Sequence, residues 1–541
     1  MPEARTIEQT LVSGTRQVAR AAGTVMLAFI VVQILGFIRQ ILVPRTFGTG
    51  MELDAFYAAN RVPELLFNLM AGGALGSAFI PAFTGLLAVE KRERAWKLAS
   101  SVANLLLLSL TAAAALTYIF APQVVQYVIF LANPAAPAAN KQLVIGLLRI
   151  QLPSIIVFGL SGLVMGILNS HKKFWLPAIA PGMLSLGIII AVLLFPAQWG
   201  IYRLAYGVVL GSVLHLLVQL PGLLKLGGKY SAILGRGVEE TKQVFLRMAP
   251  RLLSVAVVQI NFIVNIIIGM SLEHGSVAAL STGFVIMYMP LAAIAQSVAI
   301  ASMPVLSEQF ALGKMDEFKS TLVSGLRGII LLTIPAIVGL IFIRVPLFNL
   351  MRSEAFDDRS VIMTSAALFW YAIGLLGPAL IEVLSRAFFA MHDTKTPVIT
   401  TASTMLLNIY LCTVLPGWFE SMGLLPLAGL AAAFSITNGL ESILLYWLIN
   451  RRLKGIENGR VLNSLLLALA AAAVMGVVLY FALTVVHPQP GVLVLTVIIA
   501  VAAAVYGGLL LLLRVPEARG GVNAVSGRFK RIINRRKNHG N

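Results

Sequence analysis

Apolar runs of about 20 residues, separated by short polar segments, recur from residue 24 to residue 513. Each is long enough to cross the roughly 30 Å hydrocarbon core of a bilayer as a helix. The pattern predicts 14 spans, at about 24–47, 54–87, 97–121, 142–169, 175–196, 202–224, 243–271, 277–307, 320–343, 360–389, 397–415, 424–449, 462–486 and 491–513. The second is long and is interrupted by Pro63 and by Gly72-Gly73-Ala74-Leu75-Gly76. The two-residue alternation of a membrane β-barrel is absent. The expected fold class is therefore an all-α polytopic membrane protein.

Composition agrees. The chain has 541 residues, 58% hydrophobic and 12% charged, where a soluble domain carries about 25% charge. The net charge of +19 could suggest nucleic acid, but the Lys and Arg residues gather in alternate short loops. One set of connections holds Lys91, Arg92 and Arg94, Lys172 and Lys173, Lys225, Lys229 and Arg236, Lys314, Lys395, and Arg451, Arg452, Lys454 and Arg460. The opposite set (PAQWG, SLEHGS, GWFESMG, HPQPG) is nearly free of them. Only the loop around 344–359 departs, with Arg344, Arg352 and Arg359 among Glu354, Asp357 and Asp358. This asymmetry predicts cytoplasmic N- and C-termini and argues against a nucleic-acid partner. Residues 1–23 read as a cytoplasmic arm and not a cleaved signal. Residues 514–541 read as a basic cytoplasmic tail. Cys412 is the single cysteine, and no residues have metal-ligand spacing.

The chain also repeats itself. PAFTGLLAVEKRERAWKLASS from Pro81 is similar to PVLSEQFALGKMDEFKSTLVS from Pro304, and NSHKKFWLP, ending at Pro177, to MHDTKTPV, with its proline at Pro397. A near-constant offset of about 220 residues predicts two six-helix lobes of the same orientation, 24–224 and 243–449, as in parallel-repeat transporters. Spans 13 and 14, residues 462–513, fall outside the repeat.

Candidate chemistry lies in the polar residues within the spans. An ionised side chain at bilayer depth costs at least a few kcal/mol and normally faces a protein interior or a watery cavity. Arg39, Asp54, Arg61 and Glu64 cluster in the first two spans, Arg149 lies in span 4, and Glu382 and Arg386 lie in span 10. They are the candidate lining of a polar cavity. A guanidinium suits a phosphate or pyrophosphate because it is planar, permanently charged and bidentate. The alternatives are an ion pair of Arg61 with Asp54 or Glu64, and an intrahelical pair between Glu382 and Arg386. Arg247 and Arg251 read as boundary residues of span 7. Gly72, Gly73 and Gly76 suit either close helix packing or a bend that gates a portal. Asn261, Asn265, Asn408, Asn438 and Glu441 form a second polar set, open to interhelical hydrogen bonding or cation coordination. GLLKLGGKYS at 222–231 has the wrong spacing for a phosphate-binding loop. No catalytic or ATPase motif is found, so the expected protein is not an enzyme. Its energy would come from an ion gradient, from the membrane potential or from consumption of the product.

LGFIRQILVPRTFG, LDAFYAANRVPELL, GGALGSAFIP, GILNSHKKFWLPAIAP at 167–181 and DTKTPV at 393–398 together resemble the MurJ/MviN family of lipid II flippases, within the MOP transporter superfamily. The resemblance implies alternating access by two lobes, a central cationic cavity for a pyrophosphate-linked head group, and a groove at spans 13 and 14 for a polyprenyl tail. It implies a protein of the bacterial cytoplasmic (inner) membrane, expected to be monomeric, whose partners are a lipid-linked oligosaccharide and membrane lipids. No cofactor is expected, with Na+ or the membrane potential as driving force. Arg39, Asp54 and Arg61 fall on family positions, and Asn408 on an asparagine associated with a sodium site in some members. Gln33, Phe67, Asn68, Gly72 and Val285 stand where typical members carry charged residues. That departure leaves open another polyprenyl-linked oligosaccharide as cargo, a small cationic drug, or a non-transporting membrane scaffold.

Overall fold

A computed structural model describes residues 27–70, 74–235, 239–486, 491–513 and 515–517. The N-terminal arm, Gly72 and Gly73, and nearly all of the basic tail lie outside the described residues. Among those described, the regular structure is entirely helical. In chain order the main helices are α1 (Leu27–Phe47), α2 (Met51–Met70), α3 (Ala74–Ala88), α4 (Arg92–Ile119), α5 (Ala138–Ser170), α6 (Trp175–Leu194) and α7 (Tyr202–Leu224). They continue with α8 (Glu239–Gly269), α9 (Ser276–Ala311), α10 (Met315–Asn349), α11 (Asp358–Ile373), α12 (Leu376–Ala390), α13 (Lys395–Ser421), α14 (Pro426–Arg452), α15 (Asn458–Val485) and α16 (Val492–Leu512).

Eleven of these are individually long and apolar enough to cross a membrane, and the α11–α12 pair, bent by 42°, makes a twelfth. The other two expected spans are the second and the seventh. The second is described as α2 and α3, on either side of residues 71–73, which lie outside the described residues, and the seventh falls on α8, in which Gln259–Gly269 is the apolar stretch among the described residues. The chain is a multi-span helical membrane protein, and the 14-span pattern is compatible with it. Leu27, Phe29, Ile30, Ile34 and Ile38 on α1 are exposed, as are Leu466, Leu469 and Val477 on α15 and Val497 and Val501 on α16. In a bilayer such faces meet lipid at no hydrophobic cost.

The helices pack as two compact units. One takes the chain through Ala278 together with Ser353–Phe356, and the other takes Ala279–Arg352 and the chain from Asp357 onward. In the first, α5 is the central helix, packed by α2, α4 and α7. In the second, α13 packs on α14, α14 on α11 and α12, and α10 on α15. Helix α8 groups with the first unit, packing on α2 and α3, where the sequence placed it at the start of the second lobe. The apolar pattern shows that a helix is buried but not what buries it.

Two glycine-lined contacts are unusually close. A Cβ at Gly187 of α6 would lie 2.3 Å from the backbone nitrogen of Gly211 on α7, and one at Gly207 would lie 2.9 Å from Cα of Ile188. No side chain fits between the two helices there.

The repeat is visible in the backbone. After α3, Lys91 N–H donates to Leu86 and Arg92 N–H to Glu90, with Glu90 at positive φ; 223 residues later, Lys314 donates to Gln309 and Met315 to Gly313, with Gly313 at positive φ. After α5, Lys172 N–H donates to Asn169 and Lys173 N–H to Leu168, with Lys172 at φ 58°; 220 residues later, His392 donates to Phe389 and Asp393 to Phe388, with His392 at φ 59°. The paired motifs thus fold into the same turns.

The second of these turns is locked by Asp393. Its carboxylate accepts from the Thr396 N–H at 3.0 Å and the Thr396 hydroxyl at 2.7 Å, and it pairs with Arg452. The Thr396 N–H, reinforced by its hydroxyl and by Arg452, holds the Asp393 carboxyl below the usual carboxylate range. A group depressed in the folded state stabilises it above its unfolded value and loses that contribution as pH falls through the folded value. Asp393→Ala is therefore expected to cost about 1 kcal/mol near neutral pH. Its difference from the parent should vanish in acid, as read from thermal unfolding across pH.

Candidate functional site

The charged residues of the first two spans divide in the structure. Asp54 is 2% exposed. Its Oδ2 accepts from the Gly275 N–H at 2.6 Å and its Oδ1 from the Ala278 N–H at 2.7 Å. It thus satisfies amides at the first turn of α9, where the helix dipole also favours a carboxylate. Gly275 has φ +94°, and a Cβ there would strike the Thr49 carbonyl at 2.7 Å. Beside it, Ser353 Oγ donates to the Arg45 carbonyl at 2.5 Å. Gly48, at φ +67°, leaves no room for a Cβ against the Ala355 carbonyl. Asp54 therefore belongs to a junction of three loops, and both its oxygens are committed to backbone.

Arg61 and Glu64 stay together about two turns further along α2, at 2.6 Å. The i,i+3 spacing on one helix makes this pair local. The Arg61 guanidinium also lies over the Phe262 ring of α8, 4.0 Å from its centroid, a cation–π contact that holds its plane. Its Nε is buried and has no hydrogen-bond partner among the described residues. Arg39 of α1 is half-buried, and Glu64 is close enough to act on it electrostatically. Arg61 thus sits between Glu64 on its own helix and the Phe262 ring of α8. No local pattern points to Phe262, which lies about 200 positions from Arg61.

The other candidates sit elsewhere. Arg149 of α5 donates from Nε to the Tyr118 carbonyl at 3.3 Å and lies 4.8 Å over the Tyr118 ring, closing the C-terminal end of α4. Arg386 pairs with Glu382 at 3.2 Å and reaches toward the Gln296 carbonyl at 3.5 Å. Gln296 ends a π-helical turn, Ala292–Gln296, inside α9, a geometry that frees a carbonyl from the helical ladder. Asn265 donates to the Oδ1 of Asn261 at 3.1 Å within α8, and Asn408 of α13 donates to Thr437 Oγ1 at 3.1 Å. Each amide is therefore engaged within its own unit. Gly76 falls in the first turn of α3, and the side chains of Arg247 and Arg251 lie outside the described ones. Phe67 packs against Phe158, with ring centroids 5.6 Å apart. The glycine run near Lys229 is a seat for Trp96, since a Cβ on Gly228 would lie 2.3 Å from that ring. It is not a phosphate loop.

A bundle of spanning helices that holds an arginine–glutamate pair within it is the architecture of a polytopic membrane protein. The fold is shared with an inward-facing multidrug resistance MATE family transporter of the MOP superfamily, with a TM-score of 0.66 at 16% identity, covering 78% of this chain and 94% of that one. It matches a structure described as lipid II flippase MurJ in an inward closed conformation more closely, with a TM-score of 0.76 at 26% identity over 91% of this chain and 98% of that one. A family model described as lipid II flippase MurJ matches residues 43–501. A lipid II flippase MurJ from Burkholderia cenocepacia is 31% identical over 432 residues, 78% of this chain and 81% of the relative. A probable lipid II flippase MurJ from Vibrio cholerae is 30% identical over 426 residues, 76% and 79% of the two chains. The chain belongs to the lipid II flippase MurJ family.

Proposed function

We propose that this protein moves lipid II, the undecaprenyl-pyrophosphate-linked peptidoglycan precursor, from the inner to the outer leaflet of the bacterial cytoplasmic membrane by alternating access. A phosphate head group crossing bare hydrocarbon faces a prohibitive desolvation cost, which a polar path through the protein removes. The observation that carries the assignment is Arg61, its guanidinium over the Phe262 ring, with a buried Nε that has no partner among the described residues. Together with Arg39 it offers a phosphate the charge and planar donor geometry it needs. Glu64 pairs with Arg61 in the absence of cargo and yields to the phosphate. Exposed apolar side chains on α15 and α16, such as Leu469 and Val497, receive the prenyl tail. Both termini face the cytoplasm, as the loop charges imply. The membrane potential, acting on the charge that crosses with the cargo, supplies the energy.

The test is complementation of a strain depleted of its own lipid II flippase, with labelled lipid II counted in the outer leaflet. Growth and restored outer-leaflet label are expected. A well-inserted protein that restores neither, alongside a working control flippase in the same host, would redirect the assignment to another polyprenyl-linked glycan.

A further inference from the structure

The second unit holds a carboxylate that the transport role above does not use. Glu441 lies on α14, 11 residues before its end at Arg452, or about 16 Å along the helix axis. It is 6% exposed. Its Oε1 accepts from the Thr401 hydroxyl at 2.6 Å and its Oε2 from the Thr404 hydroxyl at 2.9 Å, both on α13. No cation pairs with it among the described residues. The elements packed on α14 are α11, α12 and α13. On α12, Glu382 and Arg386 pair with each other. Tyr371 of α11, and Cys412 and Lys395 of α13, form no ion pair or hydrogen bond with Glu441 among the described residues. Asn408 is committed to Thr437.

Two hydroxyl hydrogen bonds leave most of the cost of a buried charge uncompensated. A neutral carboxyl, by contrast, is fully satisfied here. The Thr404 hydroxyl has one hydrogen and three acceptors in reach: Glu441 Oε2, the Thr400 carbonyl at 3.1 Å and the Thr401 carbonyl at 3.1 Å. With a proton on Oε2, the carboxyl O–H donates to Thr404 Oγ1, and the Thr404 hydrogen turns to either carbonyl. Oε1 goes on accepting from Thr401. Both protonation states are thus built into one side-chain arrangement and differ by the rotation of one hydroxyl. Thr401 is half-buried while Thr404 is buried, so protons reach the carboxyl from the Thr401 side. A metal ion fits poorly, because hard cations need several oxygens with lone pairs directed at them. Among the described residues the hydrogen bonds bring only two hydroxyl oxygens to this carboxylate.

We propose that Glu441, with Thr401 and Thr404, is a proton-binding site of the second unit, loaded and unloaded as the protein works. The proton is taken from water and returned to water, and no other bond is made or broken.

The test uses the full-length protein in lipid nanodiscs, with infrared difference spectra recorded between mildly acidic and mildly alkaline buffer. The expected result is a protonated-carboxyl band that titrates, is lost in Glu441→Gln, moves but persists in Glu441→Asp, and shifts its midpoint in Thr404→Val. Sodium is the second probe. A carboxyl signal that responds to sodium and not to pH would overturn the proposal, as would a titrating band that survives Glu441→Gln. These spectra need no cargo, so they stand apart from the lipid II assignment. In a second arm, which rests on that assignment, an imposed proton gradient should change the rate of lipid II translocation in proteoliposomes several-fold. Reversing the gradient should reverse the effect, and Glu441→Asp should alter it. An unchanged rate under either gradient would remove the site from the transport cycle.

Discussion

Arg61→Ala is expected to abolish the rescue of flippase-depleted cells while leaving the amount of membrane-inserted protein unchanged. The substitution removes the fork that lies on Phe262 and the buried Nε together. A hydrogen bond to a charged group contributes about 1.5–3 kcal/mol, so losing one to a phosphate should slow translocation about 10- to 100-fold. Losing two takes the rate below what growth requires. Arg61→Lys is the more telling variant. Lysine restores the charge but neither the planar fork nor the stacking, so it should recover only a small part of the rate. Outer-leaflet lipid II is the quantity to count. Full rescue by Arg61→Lys would reduce the site to a point charge, and full rescue by Arg61→Ala would remove Arg61 from cargo binding.

The second large effect falls on stability. Asp54→Ala leaves the Gly275 and Ala278 amides buried without an acceptor. Each unsatisfied amide costs about 1–3 kcal/mol, a large fraction of the stability of most folded units. The expected outcome is a markedly lower unfolding temperature of the purified protein. Glu52→Ala is the control, because Glu52 is exposed in the same first turn of α2 and its loss should shift stability by less than about 0.5 kcal/mol. Similar melting of the two variants would show that Asp54 does not hold the loop junction together.

These two residues mark the limit of what the sequence reveals. Asp54 and Arg61 are both charges in an apolar run, and what separates them is the distance along the chain to their partners. Arg61 has a partner three positions away, so its pairing with Glu64 could be read from helical spacing. Asp54 finds its partners 221 and 224 positions away, a separation that no periodicity encodes. The same reason hides the contact of Arg149 with Tyr118, 31 positions away. The spanning runs and the duplicated turns were legible because lipid and backbone impose them locally. The placement of α8 was not, because an apolar face does not name the surface that covers it. Glu441 stood out as a polar residue in a span, but its two threonine partners did not, since hydroxyls are ordinary passengers in membrane helices.

The contact between α6 and α7 has a mechanical meaning. Where Gly187 meets Gly211 and Gly207 meets Ile188, backbone rests directly on backbone, with no side-chain layer to shear or repack. Two rods joined that way can neither slide along nor roll over one another without collision. They must travel together, as a single stiff lever. Whatever flexing the proposed alternation of access demands therefore falls to other helices, and at the 42° bend between α11 and α12 the backbone already departs from a straight rod.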